Sequence, residues 1–155
     1  MLRSAPADYL TNIQGEQYVP PPKYPVYYFF YGTLTAPKTL KRIIDISDEP
    51  KMRKAKLIGY ALAKWGDYPA LIDGESGQEV PGYAYIVNSE EEAEKLAYYE
   101  TNAYEEADCL IFFDDEEEPV EVSGKTFKYA GDAQALLEQR FDRKLWTRQM
   151  AGRLL

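Results

Sequence analysis

Histidine is absent from all 155 residues. That removes Ser-His-Asp and Cys-His catalysis and any zinc site built on imidazole, so chemistry must come from carboxylates, hydroxyls, lysines or backbone amides. Cysteine occurs once, as Cys109, which excludes an internal disulfide and fits a reducing interior better than a stapled secreted scaffold. No apolar run approaches the length of a membrane-spanning helix, and Arg3 is followed by no continuous apolar stretch of the signal-peptide kind. Basic residues are few: 18 Lys and Arg against 26 Asp and Glu leave a net charge of −8, which repels phosphate backbones and anionic lipid surfaces. These absences predict a soluble, cytoplasmic protein that takes neither nucleic acid nor a membrane as its partner.

What is present suits one ordinary domain. The hydrophobic fraction is 45% and the charged fraction 28%, both near globular averages, with fourteen tyrosines adding aromatic surface. Residues 1–25 mix Pro6, Gly15, Pro20, Pro21, Pro22 and Pro25 with polar residues and read as an arm. The folded unit should span residues 26–131, with a helical extension over 132–155. Val26 to Tyr31 is an unbroken β-branched and aromatic run, expected of a strand buried on both faces. Thr35 is placed to cap a short helix carrying Leu40, Ile43 and Ile44 and stopping near Asp45. Strands are expected over 55–65, interrupted at Gly59, over 69–72, and over 78–87, kinked around Pro81 and Gly82.

Ser89 followed three residues later by Glu92 is a capping-box pattern and predicts a helix over 90–100. A strand at 104–113, an acidic loop at 114–118 and a hairpin over 120–129 turning at Ser123-Gly124 should follow. Asp132 is placed to cap a last helix, on which Leu136, Leu137, Phe141 and Leu145 recur at helical spacing. Strands outnumber helices, and no simple βαβ alternation is evident.

Two positions stand out chemically. Gly32 breaks the first strand where a missing Cβ lets the amides of Gly32, Thr33 and Leu34 approach an oxygen-rich ligand; an ordinary turn reads the same way. On the helix over 90–100, Ala93, Leu96, Ala97 and Glu100 form the i, i+3, i+4, i+7 stripe of a core-facing surface. Glu100 therefore sits where an apolar residue is expected. Lost hydration and the nearby helix C-terminus should both raise its pKa, giving a proton shuttle near neutrality; the alternative is a carboxylate reaching water past a frayed end. The acidic run Asp114 to Glu118 lacks the spaced ligands and glycine turn of a calcium loop and reads as solvated. Cys109, Trp65 and Trp146 read as packing or docking residues.

The ordered set Tyr31-Gly32-Thr33-Leu34, Tyr68-Pro69-Ala70-Leu71-Ile72, Gly82-Tyr83-Ala84-Tyr85, Leu96 to Glu100 and Tyr104 resembles the gamma-glutamylcyclotransferase-like family. The resemblance implies an α+β fold, a small mixed, partly closed β-barrel flanked by helices, with a cavity where the first strand ends. Carried over by motif, Tyr31, Gly32, Thr33 and Leu34 become the loop that binds a γ-glutamyl group, and Glu100 the catalytic acid/base. Tyr68, Tyr104 and Tyr129 are candidates for the wall. The implied reaction releases 5-oxoproline by attack of the substrate's α-amine on its own γ-carbonyl, and it requires no metal or cofactor. The small-molecule partner would be a γ-glutamyl amine or γ-glutamyl amino acid.

Two departures from the family pattern fall beside the carboxylate: Ala97 stands where aspartate is usual, and Thr101 where glycine commonly follows the glutamate. A noncatalytic ligand-binding protein of the same fold therefore stays open, as does an interaction module acting through the two terminal extensions, since fold does not fix function.

Overall fold

A computed structural model describes residues 24–154. The proline-rich arm read at 1–25 lies outside the described residues except for Tyr24 and Pro25. The aromatic run becomes strand β1 (Val26–Phe30), and Tyr28, Phe29 and Phe30 are all buried, as a strand covered on both faces requires. Phe29 points one way with Ala55, Leu57, Val80, Ala84 and Ile111, while Tyr28 and Phe30 point the other, onto Leu40, Ile44 and Leu96. The period-2 alternation thus places one side chain of β1 within the barrel and its neighbours beneath two helices.

Those helices are α1 (Pro37–Ile44) and α2 (Glu90–Glu100). Thr35 does not cap α1: a 3-10 turn over Thr33–Thr35 intervenes, the cap position is Ala36, and the Thr35 hydroxyl bonds the Gly32 carbonyl at 2.7 Å. The turn after Gly32 consumes the hydroxyl that the sequence offered to the helix. α1 ends as expected, with Asp45 in the left-handed region at φ 58°. At α2 the Ser89 hydroxyl accepts the Glu92 amide at 3.2 Å, and Glu92 reaches back to the amide of Asn88 at 3.1 Å.

Five strands close a barrel in the order β1, β5 (Glu79–Val87), β2 (Arg53–Ile58), β6 (Tyr104–Phe113), β7 (Glu121–Tyr129). All neighbours are antiparallel except β7 and β1, whose parallel pairing of Tyr28 with Lys125 and Phe29 with Thr126 seals the ring. The α+β fold is the expected one, a small mixed barrel flanked by helices, and its ring is closed. Gly124 makes the seam possible, because a Cβ there would lie 2.5 Å from the Tyr27 carbonyl oxygen. Thr126, fully buried, donates its hydroxyl to the Phe29 carbonyl at 3.0 Å across the same seam.

Three further expectations are corrected. Instead of a hairpin about Ser123-Gly124, Glu121–Tyr129 forms one strand, and the reversal falls at the preceding acidic loop. That loop is pinned: Arg53 grips Asp115 through two bonds of 2.6 and 2.7 Å and also donates to the carbonyls of Glu117 and Pro119. Residues 55–65 split at Gly59 between the barrel strand β2 and a separate hairpin of β3 (Tyr60–Trp65) and β4 (Tyr68–Asp73). The single last helix is two, α3 (Ala133–Leu137) and α4 (Arg143–Leu154), leaving Leu137 and Phe141 exposed while Ala135 and Leu145 are buried. Asp142 holds the break, accepting the Tyr129 hydroxyl at 2.6 Å and the amides of Asp132 and Leu145 at 2.9 Å.

Candidate functional site

Where β1 leaves the barrel, the next residues form one wall of a cavity of about 320 Å³. Tyr31, Gly32, Thr33 and Leu34 supply that wall, Glu100 and Thr101 at the end of α2 face it, and Tyr68, Pro69 and Tyr104 complete the ring. Seven of the eight residues singled out from the sequence converge here. The eighth, Tyr129, does not line the cavity: its ring lies edge-on to Tyr104, 6.5 Å between centroids, and its hydroxyl is taken by Asp142. It supports the wall from behind, because the register of β6 against β7 pairs it directly with Tyr104.

Gly32 sits against the hairpin strand β4: a Cβ at Gly32 would come 3.3 Å from Pro69 Cγ. The close approach brings loop and hairpin into one site. Among the described residues no acceptor is found for the amides of Gly32, Thr33 or Leu34, whereas the amides of Thr35 and Ala36 turn back to the carbonyls of Gly32 and Thr33. Three adjacent N–H donors are thus left for a ligand.

The tyrosine hydroxyls are already engaged. Tyr31 donates to the Phe127 carbonyl at 2.6 Å and accepts the Leu71 amide at 3.3 Å, and Tyr104 donates to the Pro69 carbonyl at 3.0 Å. Burial, and then the neighbouring Glu100 charge, push the Tyr104 phenol up to about 12; burial likewise raises Tyr31 well above the ordinary phenol range. Both remain neutral and locked, so they shape the site without exchanging protons. Thr33 and Tyr99 join hydroxyls at 2.8 Å, tying the loop to α2.

Glu100 is different. Burial raises its carboxyl from 4.5 to about 7, and no ion pair or hydrogen bond to its carboxylate is found among the described residues. It can give or take a proton near neutral pH. The stripe that carries it is narrower than the wheel suggested: Ala93 and Leu96 are buried, but Ala97 faces solvent. Thr101 follows at φ 65° and ψ −175°, a conformation that glycine adopts freely and a β-branched residue does not. Its hydroxyl accepts the Ala103 amide at 3.3 Å, a partial compensation.

Sequence reasoning missed Trp65, Pro69, Tyr99, Thr101 and Phe127 as cavity residues. Trp65 carried a signal as an isolated tryptophan beside a Gly-Asp turn, but its partners Tyr68 and Tyr104 are named only by the folded hairpin. Among the described residues no lysine or arginine lines the cavity, no group of three His, Cys, Asp or Glu side chains is placed to hold a metal, and no helix is long and apolar enough to cross a membrane. Cys109 lies away from the cavity, its thiol pushed up to about 12 by burial and then by Asp108, the state of a packing residue.

Fold and cavity together define a class: a small closed barrel with flanking helices, holding one carboxylate of raised pKa opposite a loop of unpaired amides. The chain belongs to the gamma-glutamyl cyclotransferase, AIG2-like family, whose profile matches residues 28–148. Among solved structures, an Arabidopsis thaliana protein is 23% identical over 83% of this chain and 76% of its own, with a TM-score of 0.62. An AIG2-like protein from Mus musculus is 21% identical over 73% and 82%, with a TM-score of 0.59. A yeast gamma-glutamyl cyclotransferase specific to glutathione is 12% identical over 67% and 68%, with a TM-score of 0.51. These likenesses concern the fold. No curated protein matches the sequence.

Proposed function

We propose that this protein is a γ-glutamyl cyclotransferase that needs no cofactor and uses Glu100 as its one acid/base. The observation that carries this is the raised, unpaired carboxyl of Glu100 facing the open amides of the Gly32 loop across one cavity. The amides hold the γ-glutamyl portion and receive negative charge as it develops on the γ-carbonyl oxygen. The substrate's α-amine attacks the γ-carbonyl carbon, so a new C–N bond closes a five-membered lactam. Glu100, ionised, takes a proton from the attacking nitrogen; protonated, it returns one to the departing nitrogen as the old C–N bond breaks. One proton passes from nucleophile to leaving group, and Glu100 ends as it began. Because both reacting groups belong to one molecule, folding the substrate into its cyclising shape supplies much of the acceleration.

The test is release of 5-oxoproline from a panel of γ-glutamyl compounds. Glu100→Gln should reduce turnover by at least about a hundredfold, the usual contribution of a general acid/base. In the wild type kcat/KM should rise with pH through about 7, as Glu100 ionises. A variant with full activity ends the proposal.

A further inference from the structure

We infer that the amine released from this site carries an aromatic body and no carboxylate: the substrates are γ-glutamyl conjugates of simple arylalkylamines, not of α-amino acids. This rests on the γ-glutamyl reading above and concerns the other end of the same cavity. Leu34 is buried and Tyr31, Gly32 and Glu100 are partly buried, and they form the inner part of the lining, whereas Tyr68 is 57% exposed and marks the mouth. A γ-glutamyl group held by the loop therefore sends its amide substituent outward past Trp65 and Tyr68.

That outer wall is aromatic. The Trp65 and Tyr68 rings lie 6.5 Å apart at 38°, and Trp65 meets Tyr104 edge-on at 6.1 Å and 85°. Such an arrangement offers ring faces and edges to a further ring, the geometry in which aromatic pairs gain beyond simple area. The hydroxyl of Tyr104, committed to the Pro69 carbonyl, presents no donor to a polar substituent.

Among the described residues a carboxylate on the leaving group would find no cation, because none of their lysines or arginines lines the cavity. Lys64 alternates with Trp65 along β3 and so lies on the opposite, exposed face of the hairpin. Lys128 is held by Asp73 at 2.6 Å. Arg148 reaches the carbonyl of Asn102 at 2.7 Å, beside the rim, but that bond and Glu105 at 3.8 Å occupy it. Glu100 and the net charge of −8 add repulsion. Desolvating a second carboxylate here without a partner is unfavourable, whereas an arylalkyl group gains by leaving water.

Three compounds decide the matter with the full-length protein: γ-glutamyl-phenethylamide, γ-glutamyl-phenylalanine, which adds only a carboxylate, and γ-glutamyl-ethylamide, which lacks the ring. The expected kcat/KM for 5-oxoproline release is at least about tenfold higher for the phenethylamide than for either other compound, an unpaired charge or a lost ring contact being worth that much. Tyr68→Ala and Trp65→Ala should each shrink the ratio of phenethylamide to ethylamide severalfold. Equal or faster turnover of γ-glutamyl-phenylalanine overturns the inference and leaves the cyclotransferase reading standing. If none of the three is cyclised, that reading fails instead, and dissociation constants for the same compounds take over: tighter binding of the phenethylamide upholds the aromatic, cation-free subsite, and equal binding overturns it.

Discussion

Replacing Glu100 with glutamine should make the protein more stable at alkaline pH while disabling it. Burial holds the Glu100 proton to about 7 in the folded protein, against 4.5 for an ordinary glutamate. Between those values the unfolded chain gives up its proton while the folded chain keeps it. Rising pH therefore favours unfolding across the window, and the cost is complete above about 8. At roughly 1.4 kcal/mol per pKa unit the interval is worth about 3 kcal/mol. Contact with water through the cavity mouth reduces that to about 2 kcal/mol. Glutamine has no proton to lose and escapes the penalty. Urea denaturation of both proteins at pH 4 and pH 8.5 measures it. The two should agree within about 0.3 kcal/mol at the lower pH, and the variant should exceed the wild type by about 2 kcal/mol at the higher, or about 5 °C in Tm. Comparing the two pH values cancels any packing change that does not titrate. The same stability difference at both would falsify the raised carboxyl and with it the basis for proton transfer.

Other perturbations read other parts of the molecule. Thr101→Gly relieves a β-branched residue at φ 65° and should gain about 1 kcal/mol in urea, the strain released outweighing glycine's entropy and the lost bond to Ala103; a loss of stability would contradict that backbone. Gly124→Ala puts a methyl 2.5 Å from the Tyr27 carbonyl oxygen and should cost at least about 2 kcal/mol, since the methyl is fixed to one strand and meets the backbone of the other; an unchanged midpoint would mean that β7 does not close on β1. Asp142→Asn weakens the support of Tyr129 and of the amides of Asp132 and Leu145. It should cost about 1 to 2 kcal/mol, and ultraviolet titration should find the Tyr129 phenol nearer its ordinary range, although the burial that raises it first remains. An unmoved phenol would place Asp142 elsewhere.

Much of the site was legible because its signals are local. Glycine at the end of an aromatic run marks a place where backbone can meet a ligand, and a glutamate on an otherwise apolar helical stripe marks a dehydrated carboxylate. Both need only neighbours within a few residues. Ala97 shows the limit of that reasoning: the wheel placed it on the stripe, but only Ala93 and Leu96 of that stripe are buried and Ala97 faces solvent. Tyr129 shows another, since its alternation in a strand was readable while the layer it entered depended on Asp142 thirteen residues away. Trp65 was visible as a tryptophan but not as a cavity wall, because β3 leaves the barrel at Gly59 and folds back with β4.

The sequence by itself determined the kinds of element, the capped start of α2, the absence of imidazole chemistry and the two residues, Gly32 and Glu100, whose types were out of place. Periodicity and capping are short-range, so one chain suffices to read them. Tertiary structure alone decided that the barrel closes through a parallel seam, that residues 55–65 divide between two sheets, and that the Gly32 loop and Glu100 share one cavity. Those outcomes depend on which strand pairs with which across tens of residues, where the chain's local preferences are equal and packing selects.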